Sequence, residues 1–142
     1  MDHRAECYCG EVALVVEGDP VLQCFCHCRS CRRWSGQPVT ACLLWPEDRV
    51  RFVRGRERML RFSITEHPEG GKFSCRTCGG AICTFLPKTR LYDVFHGVLV
   101  DFDFRPAMHI NYAERVLSMP DGLPKFRDMP ERSGGTGTLI GE

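Results

Sequence analysis

The chain has 142 residues, the size of one ordinary domain, and 43% of them are apolar, which is enough to build a core. Nineteen basic residues against eighteen acidic ones give a formal net charge of +1, which argues against a nucleic-acid-binding surface. No stretch approaches the roughly 20 apolar residues that span a bilayer, and the first six residues lack the apolar segment of a signal peptide. We therefore expect a soluble, cytoplasmic protein with neither a nucleic-acid nor a membrane partner.

Short strand-like segments separated by turns run along most of the chain. The predicted strands are, in chain order, residues 11–17, 39–45, 50–53, 59–64, 72–75, 81–86 and 91–99. A short helix is predicted over residues 28–34, ending near Gly36. The pattern predicts a mainly β, single-domain fold over residues 1–132. Residues 133–142 are rich in Gly and Thr and are predicted to form a flexible tail.

Ten cysteines are an unusual number for such a chain. The cytoplasm keeps thiols reduced, so a disulfide framework is not expected there. Metal binding, redox chemistry and simple packing remain, and the spacing of the cysteines distinguishes them.

The first candidate site combines a CxxC with a distant CxC. Cys75 and Cys78 precede two glycines between two predicted strands, which is the pattern of a zinc knuckle. Such a knuckle supplies half of a tetrahedral site, and Cys7 and Cys9 are the best candidates for the other half. The alternative, a redox CxxC in a thioredoxin-like domain, needs a βαβ pattern that this chain lacks. We therefore predict a structural zinc on these four thiolates.

The second candidate site lies in a run of four thiols and one imidazole. Cys26, Cys28 and Cys31 have the spacing C-x-C-x₂-C, which can direct three sulfurs at one metal about 2.3 Å away and leave a fourth position open. An open position is typical of a catalytic zinc. His27 is expected to point away from the sulfurs, and Cys24 could be a fourth ligand or a buried apolar residue. The remaining thiols, in apolar strand segments, are expected in the core: Cys42 and Cys83.

Three arginines, Arg29, Arg32 and Arg33, surround the second site. They could offset thiolate charge and bind a carboxylate of a ligand through forked hydrogen bonds. Alternatively they form a solvated basic face on a short helix.

These motifs resemble those of the glutathione-dependent formaldehyde-activating enzyme family, which also contains centromere protein V. The matching segments are C-Y-C-G-E-V from Cys7, C-H-C-R-S-C-R-R-W-S-G from Cys26, F-S-C-R-T-C-G-G-A-I from Phe73, G-V-L at residues 97–99, H-I at His109 and D-G-L-P-K-F from Asp121. The resemblance spans residues 7–126. A tryptophan that is common shortly before the last segment is absent here.

The resemblance implies a zinc-bearing β fold similar to that of methionine sulfoxide reductase B. It implies a structural zinc on Cys7, Cys9, Cys75 and Cys78, and a second zinc at the glutathione site on Cys26, Cys28 and Cys31. It further implies the family's reaction, in which the glutathione thiol joins formaldehyde to give S-hydroxymethylglutathione.

We therefore predict a zinc-dependent carbon–sulfur lyase acting on an adduct of a glutathione-like thiol with a small carbonyl compound. The three thiolates make the second zinc a weak Lewis acid, so it is expected to bind the substrate sulfur. His109 is a candidate base, although a packed, hydrogen-bonded role is favoured. The main alternative is a non-catalytic zinc module that binds a protein partner or a small thiol. A sensor or buffer of metal or thiol redox state is a weaker third possibility.

Overall fold

Short strands account for most of the regular structure. A computed structural model describes residues 1–63 and 65–142. The strands are β1 (Asp2–Glu6), β2 (Ala13–Glu17), β3 (Leu22–Cys26), β4 (Thr40–Pro46), β5 (Val50–Arg54), β6 (Met59–Phe62), β7 (Gly71–Cys75), β8 (Ala81–Leu86), β9 (Leu91–Val94) and β10 (His109–Ile110). The described part of the chain has a single α-helix, α1 (Arg29–Ser35), and several 3₁₀ turns. The predicted mainly β fold is confirmed.

The chain divides into two compact units, of which the first comprises Met1–Val21 and Leu43–Phe104. Its smaller sheet is antiparallel in the order β1-β2-β5. Its larger sheet runs β9-β8-β7-β6, all antiparallel, with the last residues of β4 paired to β9. Inward-facing side chains of these strands form the core, where Trp45, Ile82 and Val94 are fully buried.

A tight turn joins β7 to β8 and carries the CxxC motif. The amide of Gly79 donates to the carbonyl of Cys75 at 2.9 Å, and the amide of Cys75 donates to the carbonyl of Gly80 at 2.9 Å. Gly79 has a φ of 73°, a left-handed conformation that glycine adopts without steric cost. The glycines after the CxxC motif therefore shape the turn that presents its two sulfurs.

The second unit comprises Leu22–Cys42 and Arg105–Glu142. Here β10 pairs in parallel with β3, with His109 opposite Phe25 and Ile110 opposite Cys26. Buried sulfur and apolar side chains form its core: Cys24, Cys26, Cys42, Met108 and Ile110. Helix α1 begins after the N-cap residue Cys28 and ends at Gly36, whose φ of 71° forms the left-handed C-cap.

Most predicted strands are present with bounds shifted by one or two residues. The predicted strand 91–99 is shorter, because β9 ends at Val94 and residues 96–98 form a 3₁₀ turn. Ile64, the predicted end of β6, lies outside the described residues. Strands β1, β3 and β10 were not expected from the sequence. Within the described ranges, no helix is both long and apolar enough to cross a bilayer.

Residues 133–142 make specific contacts with the preceding segment. Leu139 forms a β-bridge with Phe126, and the amide of Ile140 donates to the carbonyl of Lys125 at 2.9 Å. The Thr136 hydroxyl donates to Asp128 at 2.8 Å. The division into a domain over residues 1–132 and a flexible tail stays a prediction.

The close approach of β5 to the loop before β2 generates a stability prediction. Gly55 has a φ of 73°, and a Cβ there would overlap the carbonyl of Glu11 and lie 2.9 Å from its carbon atom. Gly36, with a φ of 71°, has nothing within 4 Å of such a Cβ. A left-handed alanine costs about 1–2 kcal/mol at either position, and only Gly55→Ala adds a backbone clash. We expect Gly55→Ala to lower the thermal unfolding midpoint far more than Gly36→Ala, measured at equal zinc concentration. Equal decreases would contradict this packing.

Candidate metal centres

Four cysteine sulfurs from two distant segments converge in the first unit. Cys7 and Cys9 follow β1, Cys75 ends β7, and Cys78 lies in the turn before β8. Their sulfurs all lie within 4.8 Å of one another, and the Cys7–Cys9 and Cys9–Cys75 separations are both 3.7 Å. A tetrahedral zinc with bonds of about 2.3 Å requires sulfurs about 3.8 Å apart. The donor set and its spacing therefore fit one zinc ion with four thiolates.

Backbone amides point at two of these sulfurs. The amide of Val12 donates to Cys7 Sγ at 3.3 Å, and the amide of Gly80 donates to Cys78 Sγ at 3.4 Å. The backbone N–H groups of Gly80 and Cys9 lower the pKa of the Cys78 thiol to about 6. Burial raises the pKa of Cys7, but hydrogen bonds from Val12 and from neighbouring thiols reverse the effect and lower it overall. These amides therefore stabilise the thiolate form that a metal needs.

A carboxylate joins the two loops that carry the four sulfurs. Glu11 accepts from the Thr77 hydroxyl at 2.7 Å and from Arg58 Nε at 3.1 Å. The same two hydrogen bonds lower the pKa of Glu11. Glu11 follows the CxC motif and Thr77 lies inside the CxxC motif, so this contact holds both halves of the site in register.

Three cysteine sulfurs converge in the second unit. Cys26 ends β3, Cys28 is the N-cap of α1, and Cys31 lies in its first turn. Their sulfurs lie within 4.8 Å of one another, with Cys26 and Cys31 3.7 Å apart. Because the amide of Cys31 donates to Cys28 Sγ at 3.2 Å, the helix cap itself orients one sulfur. The set fits one zinc with three thiolates, and among the described residues no further His, Cys, Asp or Glu atom joins it.

The three thiols influence one another strongly. Hydrogen bonds from Cys28, Cys31 and Cys42 hold the pKa of the Cys26 thiol far below its usual range. The interaction with Cys26 is also the main cause that raises the pKa of both Cys28 and Cys31. The neighbouring thiols thus stabilise the thiolate of Cys26, and they become harder to ionise themselves. A cation bound among the three sulfurs would favour the ionised form of all of them.

The remaining thiols lie in the core, as the sequence indicated. Cys24 and Cys83 are fully buried, and Cys42 is buried beside Cys24 and Cys26. Among the residues that the structure describes, Cys24 does not belong to the three-sulfur group. The proximity of the Cys42 thiol to Cys26 was not expected, because strand position alone does not reveal which sulfurs a core brings together.

Two histidines of the second unit form a buried pair. His27 Nε2 and His109 Nδ1 are 2.8 Å apart, and both side chains are fully buried. His27 therefore lies between two candidate ligands in sequence but bonds to His109. His109 also lies 2.8 Å from the Asp121 carboxylate, so it has the packed, hydrogen-bonded environment that the sequence analysis favoured.

The three arginines of α1 have different environments. Arg29 and Arg33 are exposed, whereas Arg32 is half-buried. The Arg32 guanidinium donates to the carbonyl of His27 at 3.1 Å and to that of Glu114 at 3.0 Å. Arg32 thereby ties α1 to neighbouring segments of its unit, a structural contact that sequence spacing did not suggest.

Comparison with known proteins gives one family and a related fold. The family model described as glutathione-dependent formaldehyde-activating enzyme matches residues 2–114, which include every cysteine of both clusters. No curated protein matches the chain. The crystal structure of a Rhodobacter sphaeroides protein, a structural genomics target, is 24% identical with a TM-score of 0.58. The alignment covers 70% of this chain and 90% of that one, and at this identity it shows a shared fold alone.

The first metal prediction compares two fully buried cysteines. Cys75 belongs to the four-sulfur cluster, and Cys83 lies in the core outside both clusters. Zinc binding contributes about 10 kcal/mol to folding in small zinc modules, so Cys75→Ala should lose one zinc equivalent and unfold the protein. Cys83→Ala should keep its zinc and fold. Metal analysis and circular dichroism measure both effects, and a well-folded Cys75→Ala protein lacking that zinc would contradict the assignment.

The second metal prediction concerns the three-sulfur cluster. Cys28→Ala should leave the circular dichroism spectrum nearly unchanged and remove about one zinc equivalent, because the cluster caps one short helix and does not join distant strands. In the unmodified protein a chelator should remove this equivalent first, since its fourth ligand exchanges. Equal resistance of both equivalents to the chelator would show that the second cluster has no open position.

Proposed function

The chain belongs to the glutathione-dependent formaldehyde-activating enzyme family, and we propose that it is a zinc-dependent carbon–sulfur lyase. Its substrate would be an adduct of a glutathione-like thiol with a small carbonyl compound. In the addition direction the thiol sulfur bonds to the carbonyl carbon, and the thiol proton ends on the carbonyl oxygen. In the reverse direction that carbon–sulfur bond breaks, and the thiol and carbonyl compound are released.

The observation that carries the proposal is the convergence of three sulfurs, with metal-ligand spacing, in the second cluster. Cys26, Cys28 and Cys31 would hold zinc and leave one of four tetrahedral positions for a substrate sulfur. Zinc bound there would lower the pKa of the substrate thiol, so that it reacts as a thiolate near neutral pH. By contrast, the four-sulfur cluster would fill all four tetrahedral positions of a zinc ion with protein ligands, as a structural zinc requires.

Residues around the second cluster would stabilise its sulfurs. The side-chain amide of Asn111 donates to Cys26 Sγ at 3.5 Å, and the amide of Cys31 donates to Cys28 Sγ at 3.2 Å. Hydrogen bonds to a sulfur withdraw some of its negative charge and fix its direction. These donors would therefore limit the charge that accumulates when a fourth, substrate sulfur approaches three protein thiolates.

The substrate's carboxylates need cations, and Arg29, Arg32 and Arg33 are proposed to supply them. Arg29 and Arg33 are exposed beside the cluster on α1, and Arg32 is half-buried. Since Arg32 donates to two carbonyls of its own unit, it is suited to hold α1 in place as well as to contribute charge. Arg33 therefore offers a cleaner test of ligand binding than Arg32.

A cytoplasmic setting completes the proposal. The ten cysteines form no disulfide bonds in the structure, and the cytoplasm keeps thiols reduced. Glutathione-like thiols are proposed as partners in the same compartment, with no nucleic-acid or membrane partner. Within the chain, residues 1–132 would form the zinc-bearing domain and residues 133–142 its tail.

The activity is tested by mixing zinc-loaded protein with glutathione and formaldehyde. NMR exchange spectroscopy should show S-hydroxymethylglutathione forming faster than in the uncatalysed reaction, and Cys28→Ala should abolish the acceleration. Cys83→Ala, a cysteine loss outside both clusters, should retain it. Glutathione binding without acceleration, followed by failure with a panel of other small carbonyl compounds, would instead favour the non-catalytic thiol-binding module.

The arginine assignment predicts a contrast between two thiols. Arg33→Ala should weaken binding of glutathione by about 1.5–3 kcal/mol, or roughly ten- to a hundredfold, because a charge-assisted hydrogen bond to a carboxylate is lost. Calorimetry with 2-mercaptoethanol, which has no carboxylate, should show almost no change. Similar losses for both thiols, or none for either, would return Arg33 to a solvated basic face.

A further inference from the structure

Hydrogen bonds link four polar side chains of the second unit in a series that begins at Lys125 and ends at His27. Lys125 Nζ lies 2.8 Å from Asp121 Oδ1, Asp121 Oδ2 lies 2.8 Å from His109 Nε2, and His109 Nδ1 lies 2.8 Å from His27 Nε2. Lys125 and both histidines are buried, and Asp121 is partly exposed. Buried polar groups are costly unless each has a partner, so the order of donors and acceptors along this chain is constrained.

Asp121 fixes the direction of the first hydrogen bond. Its carboxylate accepts from Lys125, from His109 and from the backbone amide of Leu123 at 3.1 Å. Partial burial opposes its ionisation, but the hydrogen bonds from Lys125 and His109 outweigh burial and hold the pKa of Asp121 well below its usual range. Because an ionised carboxylate only accepts hydrogen bonds, His109 must carry a proton on Nε2.

The other end of the chain fixes the second hydrogen bond. Within the described residues, no donor or acceptor bonds to His27 Nδ1, which is buried. If His109 donated to His27, a neutral His27 would carry its proton on Nδ1 as a buried donor without an acceptor in the described residues, which is unfavourable. If His27 donates from Nε2, its Nδ1 is a bare lone pair, and unpaired acceptors are better tolerated than unpaired donors. Both rings therefore carry their proton on Nε2.

The same segment holds the three-sulfur cluster through its backbone. The amide of Phe25 donates to the carbonyl of Met108 at 3.0 Å, and that of His27 donates to the carbonyl of Ile110 at 3.1 Å. One residue further, Asn111 contacts Cys26 Sγ. The polypeptide on both sides of Cys26 is thus anchored to residues 108–111, and His109 in the middle of that segment is anchored to Asp121.

We propose that Asp121 is a positioning residue that acts through His109 to fix His27 in its Nε2-protonated form. It thereby holds Cys26 and Cys28, the neighbours of His27, where their sulfurs converge with that of Cys31. The inference rests on the proposed function, because it assigns this hydrogen-bonded chain to the zinc- and thiol-binding cluster.

The first experiment uses the unmodified protein. Long-range ¹⁵N–¹H NMR spectra distinguish the two tautomers of each imidazole, and both His27 and His109 should be protonated on Nε2. A proton on Nδ1 of His27 would overturn the proposal without any variant. The measurement needs neither substrate nor activity, so failure of the lyase assay leaves it intact, and its own failure leaves the lyase proposal intact.

The second experiment compares two carboxylates of the same unit. Asp121→Asn keeps the side-chain shape but allows the amide to present either oxygen or NH₂ to His109, so the tautomers should become mixed. The affinity of the second zinc equivalent, measured by competition with a chromophoric chelator, should fall about tenfold, the lower end of losses for residues that support metal ligands. The first equivalent should be unaffected, because its four ligands lie in the other unit.

Asp128→Asn is the matched control. Asp128 also accepts several hydrogen bonds, from the amides of Met129 and Thr136 and from the Thr136 hydroxyl, but none from an imidazole. The Asp128→Asn variant should leave the tautomers of His27 and His109 unchanged, and it should not alter the affinity for the second zinc equivalent. If Asp121→Asn keeps the wild-type tautomers, or if both variants lower the zinc affinity equally, Asp121 contributes only to general stability and the positioning role is wrong.

Discussion

Electrostatic repulsion between cysteine sulfurs is the constraint on which the rest of the structure depends. Neighbouring thiolates repel each other, and the four sulfurs of the first cluster form six pairs that all lie within 4.8 Å, two of them at 3.7 Å. A divalent cation bound to the four sulfurs would offset this repulsion. The thiol pKa values are divided accordingly. The backbone amides of Gly80 and Cys9 lower the pKa of the Cys78 thiol to about 6. The amide of Glu11 lowers the pKa of the Cys9 thiol, but partial loss of solvent and the neighbouring thiols outweigh it and raise that pKa to about 12.

The two clusters meet this constraint in different ways. The first draws its sulfurs from segments 66 residues apart, Cys9 and Cys75, so its closure links strands that are distant in the chain. The second draws all three sulfurs from within six residues, and a helix cap orients one of them. A metal in the first cluster would therefore stabilise the fold, whereas a metal in the second could exchange its outer ligand while the fold persists. The family's chemistry with a thiol is compatible with the second arrangement.

Local patterns in the sequence were sufficient to predict the parts of the site that local structure determines. The CxC, CxxC and C-x-C-x₂-C spacings identified both sulfur clusters, and Gly36 marked the end of α1. Strand β10 was not predicted because it has two residues and pairs with β3, which lies far away in sequence, and β3 was not predicted because that same pairing is distant in sequence. Strand β1 pairs with the adjacent β2, but its sequence D-H-R-A-E has no apolar alternation. The contact of Arg32 with Glu114 joins residues 82 apart and the bond between His109 and Asp121 joins residues 12 apart, so no local spacing rule predicts either of them.

Burying the hydrogen-bonded side chains from Lys125 to His27 is energetically unfavourable compared with burying apolar side chains in the interior of a small unit. Lys125 is 3% exposed, and its ammonium is stabilised by Asp121, by the carbonyl of Leu123 and by Glu142. An apolar layer of similar volume would often stabilise a fold as well or better than a buried ion pair. Such a layer could not, however, determine which nitrogen of an imidazole carries its proton. Along this series of hydrogen bonds each acceptor determines the next donor, from the carboxylate of Asp121 through His109 to the imidazole of His27, which lies between Cys26 and Cys28 in sequence. The unfavourable burial of these polar groups is therefore best explained by their role in orienting the residues at the point where three sulfurs converge.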